Sequence, residues 1–365
     1  MPMLRLTSVL TVLLLASTSA LAQISLTPPG IQQPPAEKPK AVEKPVEKPK
    51  PPAKKPVPAP GASAKPPTPA APPASQPSAN ALPTANDPNV DLVYGAYQRG
   101  QYKTAFDLAT ARVQTGDAKA MTMLGQLYEN GMGVRRDFDK AATWYKRASE
   151  AGDREAMFAL AMMRLAGRGG PTDKQEAVKL LASAAKLGEP KAAYNLALLY
   201  LDGQTLPQDL KRSAELLQMA ADAGNPEAQY ALATFYKEGT AVQKDPEKAA
   251  RLLQAAALAD NVDAEVEYAI ALFNGSGTPK NEAGAVALLR KAAKQNSPIA
   301  QNRLAWVLFY GVGGTPMDRV EAYKWHLVAK TAGKGDPKLD EKFAELSPEE
   351  RAKGEEAAKR WIGAK

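Results

Sequence analysis

Apolar residues along this chain follow a helical period that sits inside a longer period of 36 residues. Ala120, Leu124 and Tyr128 lie four residues apart, which places them on one face of a helix. Gly131 then ends this helix, because glycine adopts a left-handed backbone at no steric cost. Asp137 has a side chain of the kind that caps the start of a second helix. The pattern therefore predicts an antiparallel helix pair.

Six copies of this unit follow one another, and the same slots recur every 36 residues. An alanine opens the first helix of each copy and a glycine ends it, at Ala120, Ala156, Ala192, Ala228, Ala264 and Ala300 and at Gly131, Gly167, Gly203, Gly239, Gly275 and Gly311. Second helices are expected to be capped by Asp137, Asp173, Asp209, Asp245 and Asn281, and no insertion is expected in any copy. Such a period predicts a stack in which each pair covers its neighbour's apolar face.

The residues of the first copy resemble the consensus of the Sel1-like repeat, a longer-looped relative of the tetratricopeptide repeat. The resemblance rests on Leu124-Gly125-x-x-Tyr128-x-x-Gly131-x-Gly133 and on Asp137, Lys140-Ala141, Trp144-Tyr145, Ala148 and Gly152, and it covers residues 118–335. It implies an all-α, right-handed α/α solenoid whose first helices line a concave face. Gly133 becomes Thr205 and Ala241, and Gly152 becomes Asp260 and Asn296, so we expect less regular loops in those copies.

Both ends of the array are expected to carry atypical helices. Residues 89–117 resemble an ordinary tetratricopeptide unit, through Tyr97-x-x-Gly100-x-Tyr102-x-x-Ala105, and predict a shorter first helix pair. Residues 336–365 predict capping helices, since Ser347-Pro348-Glu349-Glu350 combines an N-cap serine, a proline at the first helical position and a glutamate three residues on. Residues 89–362 should therefore hold fourteen or more helices and no β-sheet.

Residues 1–22 have the pattern of a secretory signal peptide. An apolar stretch follows Arg5 and ends in small residues and Ala20-Leu21-Ala22, a cleavage sequence of the A-x-A kind. The stretch is shorter than the roughly 20 residues that span a bilayer. We expect a mature chain that begins near Gln23, has no transmembrane segment and lies in the periplasm, with secretion as the alternative.

Residues 23–88 are dominated by proline, lysine and alanine and hold 20 of the 31 prolines. This composition cannot bury enough apolar surface to offset the entropy of ordering, so it predicts a disordered linker. The linker is a spacer, or else a peptide ligand or tether across the envelope. Its eight lysines, against three glutamates and Asp87, leave a net charge of only +3 for residues 89–365. A charge so close to zero does not provide the basic surface that binding of nucleic acid requires.

Candidate catalytic residues are few. The chain has no cysteine, which excludes disulfides, thiol catalysis and cysteine-based zinc sites. His326 is the only histidine, and we interpret it as structural. Ser183-x-x-Lys186 matches the S-x-x-K of penicillin-recognising enzymes but lacks the accompanying S-D-N and K-T-G sequences. Trp144 and Tyr145 are core positions, because leucines replace them in the next copies. No enzyme activity, cofactor or metal is therefore expected.

One stripe on the first helices is the candidate binding site. The slots that point away from the paired second helix are polar in the first copy and largely apolar or aromatic in later ones: Phe158, Met162, Tyr194, Leu198, Tyr230, Ile270, Phe273, Trp306 and Phe309. One interpretation is packing between adjacent first helices. The other is a concave groove for a peptide or helix of a partner, since large exposed apolar patches mark interaction sites.

These observations predict a non-catalytic periplasmic scaffold or adaptor that binds other envelope proteins through its concave face. The resemblance implies a role in envelope assembly, signalling or polysaccharide export. A protein that binds or processes envelope glycan is the first alternative, although no carboxylate pair can be nominated for it. A rigid spacer in a secreted assembly is the second. The oligomeric state stays open.

Overall fold

The computed structural model describes residues 91–363. It is all-helical over this range, with sixteen α-helices and no strand. The helices are α1 (Leu92–Gln98), α2 (Tyr102–Arg112), α3 (Ala118–Asn130), α4 (Phe138–Glu150), α5 (Arg154–Ala166), α6 (Lys174–Lys186), α7 (Pro190–Asp202), α8 (Leu210–Asp222), α9 (Pro226–Glu238), α10 (Pro246–Leu258), α11 (Val262–Asn274), α12 (Glu282–Lys294), α13 (Pro298–Tyr310), α14 (Arg319–Thr331), α15 (Pro337–Phe343) and α16 (Pro348–Gly363). The predicted signal peptide and linker lie outside the described residues.

The helices of the six copies, α3 to α14, begin and end through the same local contacts. Each is 13 residues long, and a side chain caps its start. Asp137 Oδ1 accepts a hydrogen bond from the Lys140 N–H at 3.0 Å, and Asp153 Oδ1 accepts one from the Ala156 N–H at 2.7 Å. All five predicted caps of second helices are confirmed. Because these signals are local, they fix the helix limits copy by copy.

The expectation of less regular loops is wrong at three of the four replaced glycines. Ala241, Asp260 and Asn296 keep the left-handed backbone, with φ of 57°, 61° and 68°. At Asp260 and Asn296 the turn also keeps its hydrogen bond. The Asn261 N–H donates to the Ala256 carbonyl and the Ser297 N–H to the Ala292 carbonyl, each at 3.0 Å, as the Asp153 N–H donates to the Ala148 carbonyl in the first copy. The turn geometry is therefore retained although an L-residue is strained there.

The prediction that no copy contains an insertion is also wrong. The second helix of the sixth copy is capped by Asp318, one position later than the period requires. Ala329 is fully buried and takes the slot of Ala148, which the unshifted period would assign to Val328. The extra residue lies in the loop before Asp318, where Gly313 and Gly314 both have positive φ. The loop absorbs it, so the helix pair is unchanged.

The core of each pair forms where a small residue of the first helix meets a large one of the second. Gly125 lies against the ring of Tyr145, which is buried and donates its hydroxyl to Glu129 Oε2 at 2.9 Å. The later copies place a buried alanine in the Gly125 slot, at Ala161, Ala197, Ala233, Ala269 and Ala305. Trp144 is only half-buried, with Arg147 over its ring, so it is not the full core position that was predicted.

The C-terminal helix covers the last pair. The Glu350 N–H donates to Ser347 Oγ at 3.2 Å and the Ser347 N–H donates to Glu350 Oε2 at 2.9 Å, which is the expected capping box. Trp361 of α16 lies edge-on to the buried Trp325 of α14, with ring centroids 5.1 Å apart. The apolar side of the sixth copy is therefore shielded from solvent.

Gly125→Ala is expected to lower the free energy of unfolding by about 1–2 kcal/mol, because overpacking a core costs about 1–3 kcal/mol and alanine recovers part of this as helix propensity. A Cβ on Gly125 would lie 2.5 Å from Cε1 of Tyr145. Gly125→Ala/Tyr145→Leu recreates the alanine–leucine pairing of later copies and should regain most of the loss. Urea unfolding of both variants and of Tyr145→Leu measures this. A fully stable Gly125→Ala would show that the ring does not limit the slot.

Candidate functional site

The nine predicted residues lie on the first helices α5, α7, α9, α11 and α13, and together we call them the first-helix face. Leu198 and Phe309 are buried, at 4% and 8% exposure. The other seven are half-buried: Phe158, Met162, Tyr194, Tyr230, Ile270, Phe273 and Trp306. The face is thus neither a sealed core nor a solvated surface, since most of its side chains pack on neighbours and still reach solvent.

Contacts between successive first helices run along the same side of the stack. Thr122, in the slot of Phe158 and Tyr194, donates its hydroxyl to Asp153 at the start of the next first helix, at 3.0 Å. Lys237 Nζ lies 2.9 Å from Glu267 Oε2 and joins α9 to α11. At these two positions, a side chain of one first helix therefore reaches the first helix of the following copy.

Aromatic residues of the sixth copy are held by the segment that follows the array. The ring of Phe309 packs edge-on against Phe343 of α15, with centroids 5.3 Å apart. Trp306 stacks on Tyr310 at 5.2 Å and donates its Nε1–H to Asp336 Oδ2 at 2.8 Å. At this end the first-helix face serves the packing of the C-terminal helices.

Tyr194 and Tyr230 occupy the same slot in the third and fourth copies, and both lie near carboxylates. Burial, together with the charge of Glu227, raises the pKa of Tyr194 to about 12. Burial also raises the pKa of Tyr230, with further contributions from Glu267 and Asp263. Both phenols are therefore neutral at physiological pH and lie among negative charges.

The first helices of the middle copies are acidic as a group. Helices α7, α9 and α11 carry six acids, Asp202, Glu227, Glu238, Asp263, Glu265 and Glu267, against Lys191 and Lys237, a net charge of −4. The second helices of the same copies, α8, α10 and α12, carry seven basic residues against four acids, a net charge of +3. The total charge of the chain does not reveal this separation of negative first helices from positive second helices. The charges of the individual helices do.

Sequence reasoning also missed a buried carboxylate at the turn between the fourth and fifth copies. Glu265 is fully buried, and Lys291 Nζ lies 2.6 Å from Glu265 Oε1 and 2.6 Å from Asp260 Oδ1. The adjacent copies hold a glutamine in this slot. Gln229 and Gln301 donate their amides to the carbonyls of Ala221 and Ala293, at 3.3 Å and 3.1 Å.

His326 is a buried core residue of the last copy. The one-residue insertion places it in the slot of Tyr145, which holds leucine in the four intervening copies. Its Nε2 lies 2.8 Å from Asp340 Oδ1, and Lys330 Nζ lies 2.7 Å from the same oxygen. Hydrogen bonds from Lys330 and His326 lower the pKa of Asp340. The arrangement ties α15 to α14.

Other candidate chemistry is not assembled within residues 91–363. Ser183 and Lys186 are both exposed on α6. Over this range no group of three or more histidine or acidic side chains could hold a metal ion. None of the helices described is long and apolar enough to span a membrane.

Tandem pairs of 13-residue helices, repeated every 36 residues, define an α-solenoid repeat protein. The Sel1 repeat matches six consecutive segments, residues 118–153, 154–189, 190–225, 226–261, 262–297 and 298–334. The chain belongs to the Sel1 repeat family. The sixth match is one residue longer than the others, in agreement with the insertion before Asp318. Sel1 repeats are generally protein–protein interaction modules, and solenoids built from them are typically non-catalytic scaffolds.

Solved structures of other repeat proteins share this fold, among them the following two. A protective antigen present in uropathogenic Escherichia coli strains, displaying an SLR fold, superposes with a TM-score of 0.62 and 26% identity. That match covers 74% of this chain, and the chain spans only 59% of the antigen. A Sel1 repeat protein from Oxalobacter formigenes gives a TM-score of 0.60 and 26% identity, over 66% of this chain and 98% of that protein. A search of curated proteins found no match.

Proposed function

We propose that this protein is an exported, non-catalytic scaffold that holds other envelope proteins in the periplasm through its first-helix face. One observation carries the proposal. Side chains such as Phe158, Tyr194 and Tyr230 recur in one slot of successive copies and stay half-buried instead of being sealed in the core. Tyrosine and other large side chains that reach solvent in a row are typical anchors of protein interfaces.

The location rests on the sequence of residues 1–22. Their apolar stretch and Ala20-Leu21-Ala22 favour export and cleavage before Gln23. An exported chain without disulfides needs a core that is sufficient on its own, and the stacked helices supply one. By resemblance to exported relatives, the process served is envelope assembly, signalling or polysaccharide export, and secretion is the alternative destination.

The test is crosslinking and pulldown of the tagged full chain from the periplasmic fraction of intact cells. Phe158→Ser/Tyr194→Ser/Tyr230→Ser should lose at least nine-tenths of the partner yield, because hot-spot residues carry most of the binding energy. The matched control removes three exposed apolar side chains that lie on or directly after second helices, Leu187→Ser/Met219→Ser/Leu258→Ser. It should keep the partners.

If the triple variant unfolds below the assay temperature, the single variant Tyr230→Ser replaces it in the pulldown. A folded variant that keeps every partner would contradict binding through this face. Turnover of cell-wall glycan by the wild type would favour the glycan-processing alternative, and a wild type that captures no partner would favour the spacer.

A further inference from the structure

We infer that the acidic middle of the first-helix face binds a basic peptide segment of a partner protein. The site consists of Tyr194, Tyr230, Glu227, Glu238 and Asp263, and we call it the acidic tyrosine patch. The inference rests on the proposed function, because it names the ligand chemistry that this part of the first-helix face selects.

The two tyrosines provide the surface on which a basic side chain would lie. Tyr194 and Tyr230 are one repeat apart in the same slot, and both rings are half-buried. Glu227 lies three residues before Tyr230 on α9, and so on the same face of that helix, and its charge also acts on the phenol of Tyr194. Glu267, Asp263 and Glu238 act on the phenol of Tyr230. A lysine or arginine over such a ring gains a cation–π contact, and the adjacent carboxylate adds to it.

Two of the carboxylates are available to an incoming cation. Glu227 and Glu238 are exposed, and no ion pair among residues 91–363 involves either of them. Glu267 differs, because Lys237 Nζ already lies 2.9 Å from its Oε2. The patch therefore offers two exposed carboxylates, without an ion-pair partner among residues 91–363, next to aromatic surface. Packing between helices does not require this combination.

The distribution of charge over the middle copies favours a basic over an acidic ligand at this patch. The first helices there carry a net charge of −4 and the second helices a net charge of +3. Complementary potentials speed the encounter with a basic segment, while like charges face a repulsion. A chain that reaches the stack would therefore be oriented with its basic residues toward the tyrosines.

The repeat also sets the spacing of the basic residues. Successive first helices lie close enough for side chains to bridge them, as Lys237 and Glu267 do, and three residues of an extended polyproline II segment advance about 9 Å. A lysine or arginine at every third position would meet successive copies, so that one cation lies near Glu227 and the next near Glu238.

The experiment is a fluorescence anisotropy titration of the full-length chain with a labelled peptide of four Lys-Pro-Pro units. Binding should weaken steeply with added salt, and a peptide of four Glu-Pro-Pro units should bind at least tenfold more weakly. Glu227→Lys/Glu238→Lys should weaken binding of the lysine peptide at least tenfold. The matched control, Asp222→Lys/Glu247→Lys, makes the same change in net charge at exposed positions of second helices and should lose less than threefold.

Equal loss in the two charge-reversed variants would overturn the inference, because net charge and not the patch would then control binding. Equal binding of the two peptides would overturn it as well, because the patch would then not select a basic ligand. Neither result touches the proposed function. That proposal is judged by the pulldown with the aromatic variants, whose partners could be held by apolar contacts alone.

Discussion

Lys291→Met is expected to lower the free energy of unfolding by about 2 kcal/mol, because it leaves the carboxylate of Glu265 buried without its cation. Removing one partner of a fully buried ion pair costs about 3–5 kcal/mol. Lys291 is itself about half exposed, so solvent reduces the figure. Urea unfolding of the full chain at neutral pH measures the loss, and Lys294→Met, an exposed lysine on the same helix, is the control.

The adjacent copies supply the compensating change. Glu265→Gln places an amide where Gln229 and Gln301 each donate to a backbone carbonyl, so Lys291→Met/Glu265→Gln should return to within about 0.5 kcal/mol of the wild type or exceed it. Hydrogen bonds to Asp260 and Glu265 raise the pKa of Lys291. Its contribution is therefore complete below the unfolded pKa of about 10.4 and disappears as the pH rises through the higher folded value. Equal stability of Lys291→Met and Lys294→Met would refute the account.

His326→Ala should cost about 2–3 kcal/mol, since it opens a cavity in a core slot that is fully buried. His326→Leu should stay within about 1 kcal/mol of the wild type, because leucine fills this slot in the four preceding copies and Asp340 keeps Lys330 as its partner. Differential scanning calorimetry of both variants separates the effect of volume from that of the hydrogen bond to Asp340. If His326→Leu lowers the free energy of unfolding as much as His326→Ala does, the hydrogen bond to Asp340 and not the side-chain volume stabilises this position.

Most of the fold could be predicted from the sequence because its determinants are local. An aspartate such as Asp137 caps a helix wherever a helical stretch follows it, and Gly131 ends one for equally local reasons. The insertion in the sixth copy escaped notice because Val328 is apolar and suits a core slot as well as Ala329 does. Asp260 and Asn296 were expected to disturb their loops, but the hydrogen bonds of the turn hold their backbones in place.

The candidate site was less predictable because exposure depends on which residues cover a slot. Phe309 was placed in the correct slot, but its cover comes from Phe343, outside the array. Whether Glu265 is buried depends on the packing of the turn between two copies, which the 36-residue pattern does not describe. Glu227 beside Tyr194, and Glu267 and Asp263 beside Tyr230, come from the first helix of the following copy. Only the arrangement of successive first helices brings these carboxylates to the tyrosines.

From α1 to α13 each helix packs chiefly on the helices before and after it in the chain, so the packing interfaces along the stack act as joints in series. A tensile load applied at its two ends would pass through every joint, and the weakest would yield while the others stay folded. One released copy of 36 residues supplies on the order of 120 Å of extended chain. If a partner is bound to one copy and the solenoid is attached at its far end, a pulling force would separate the two points stepwise. Each copy that unfolds would limit the force between them.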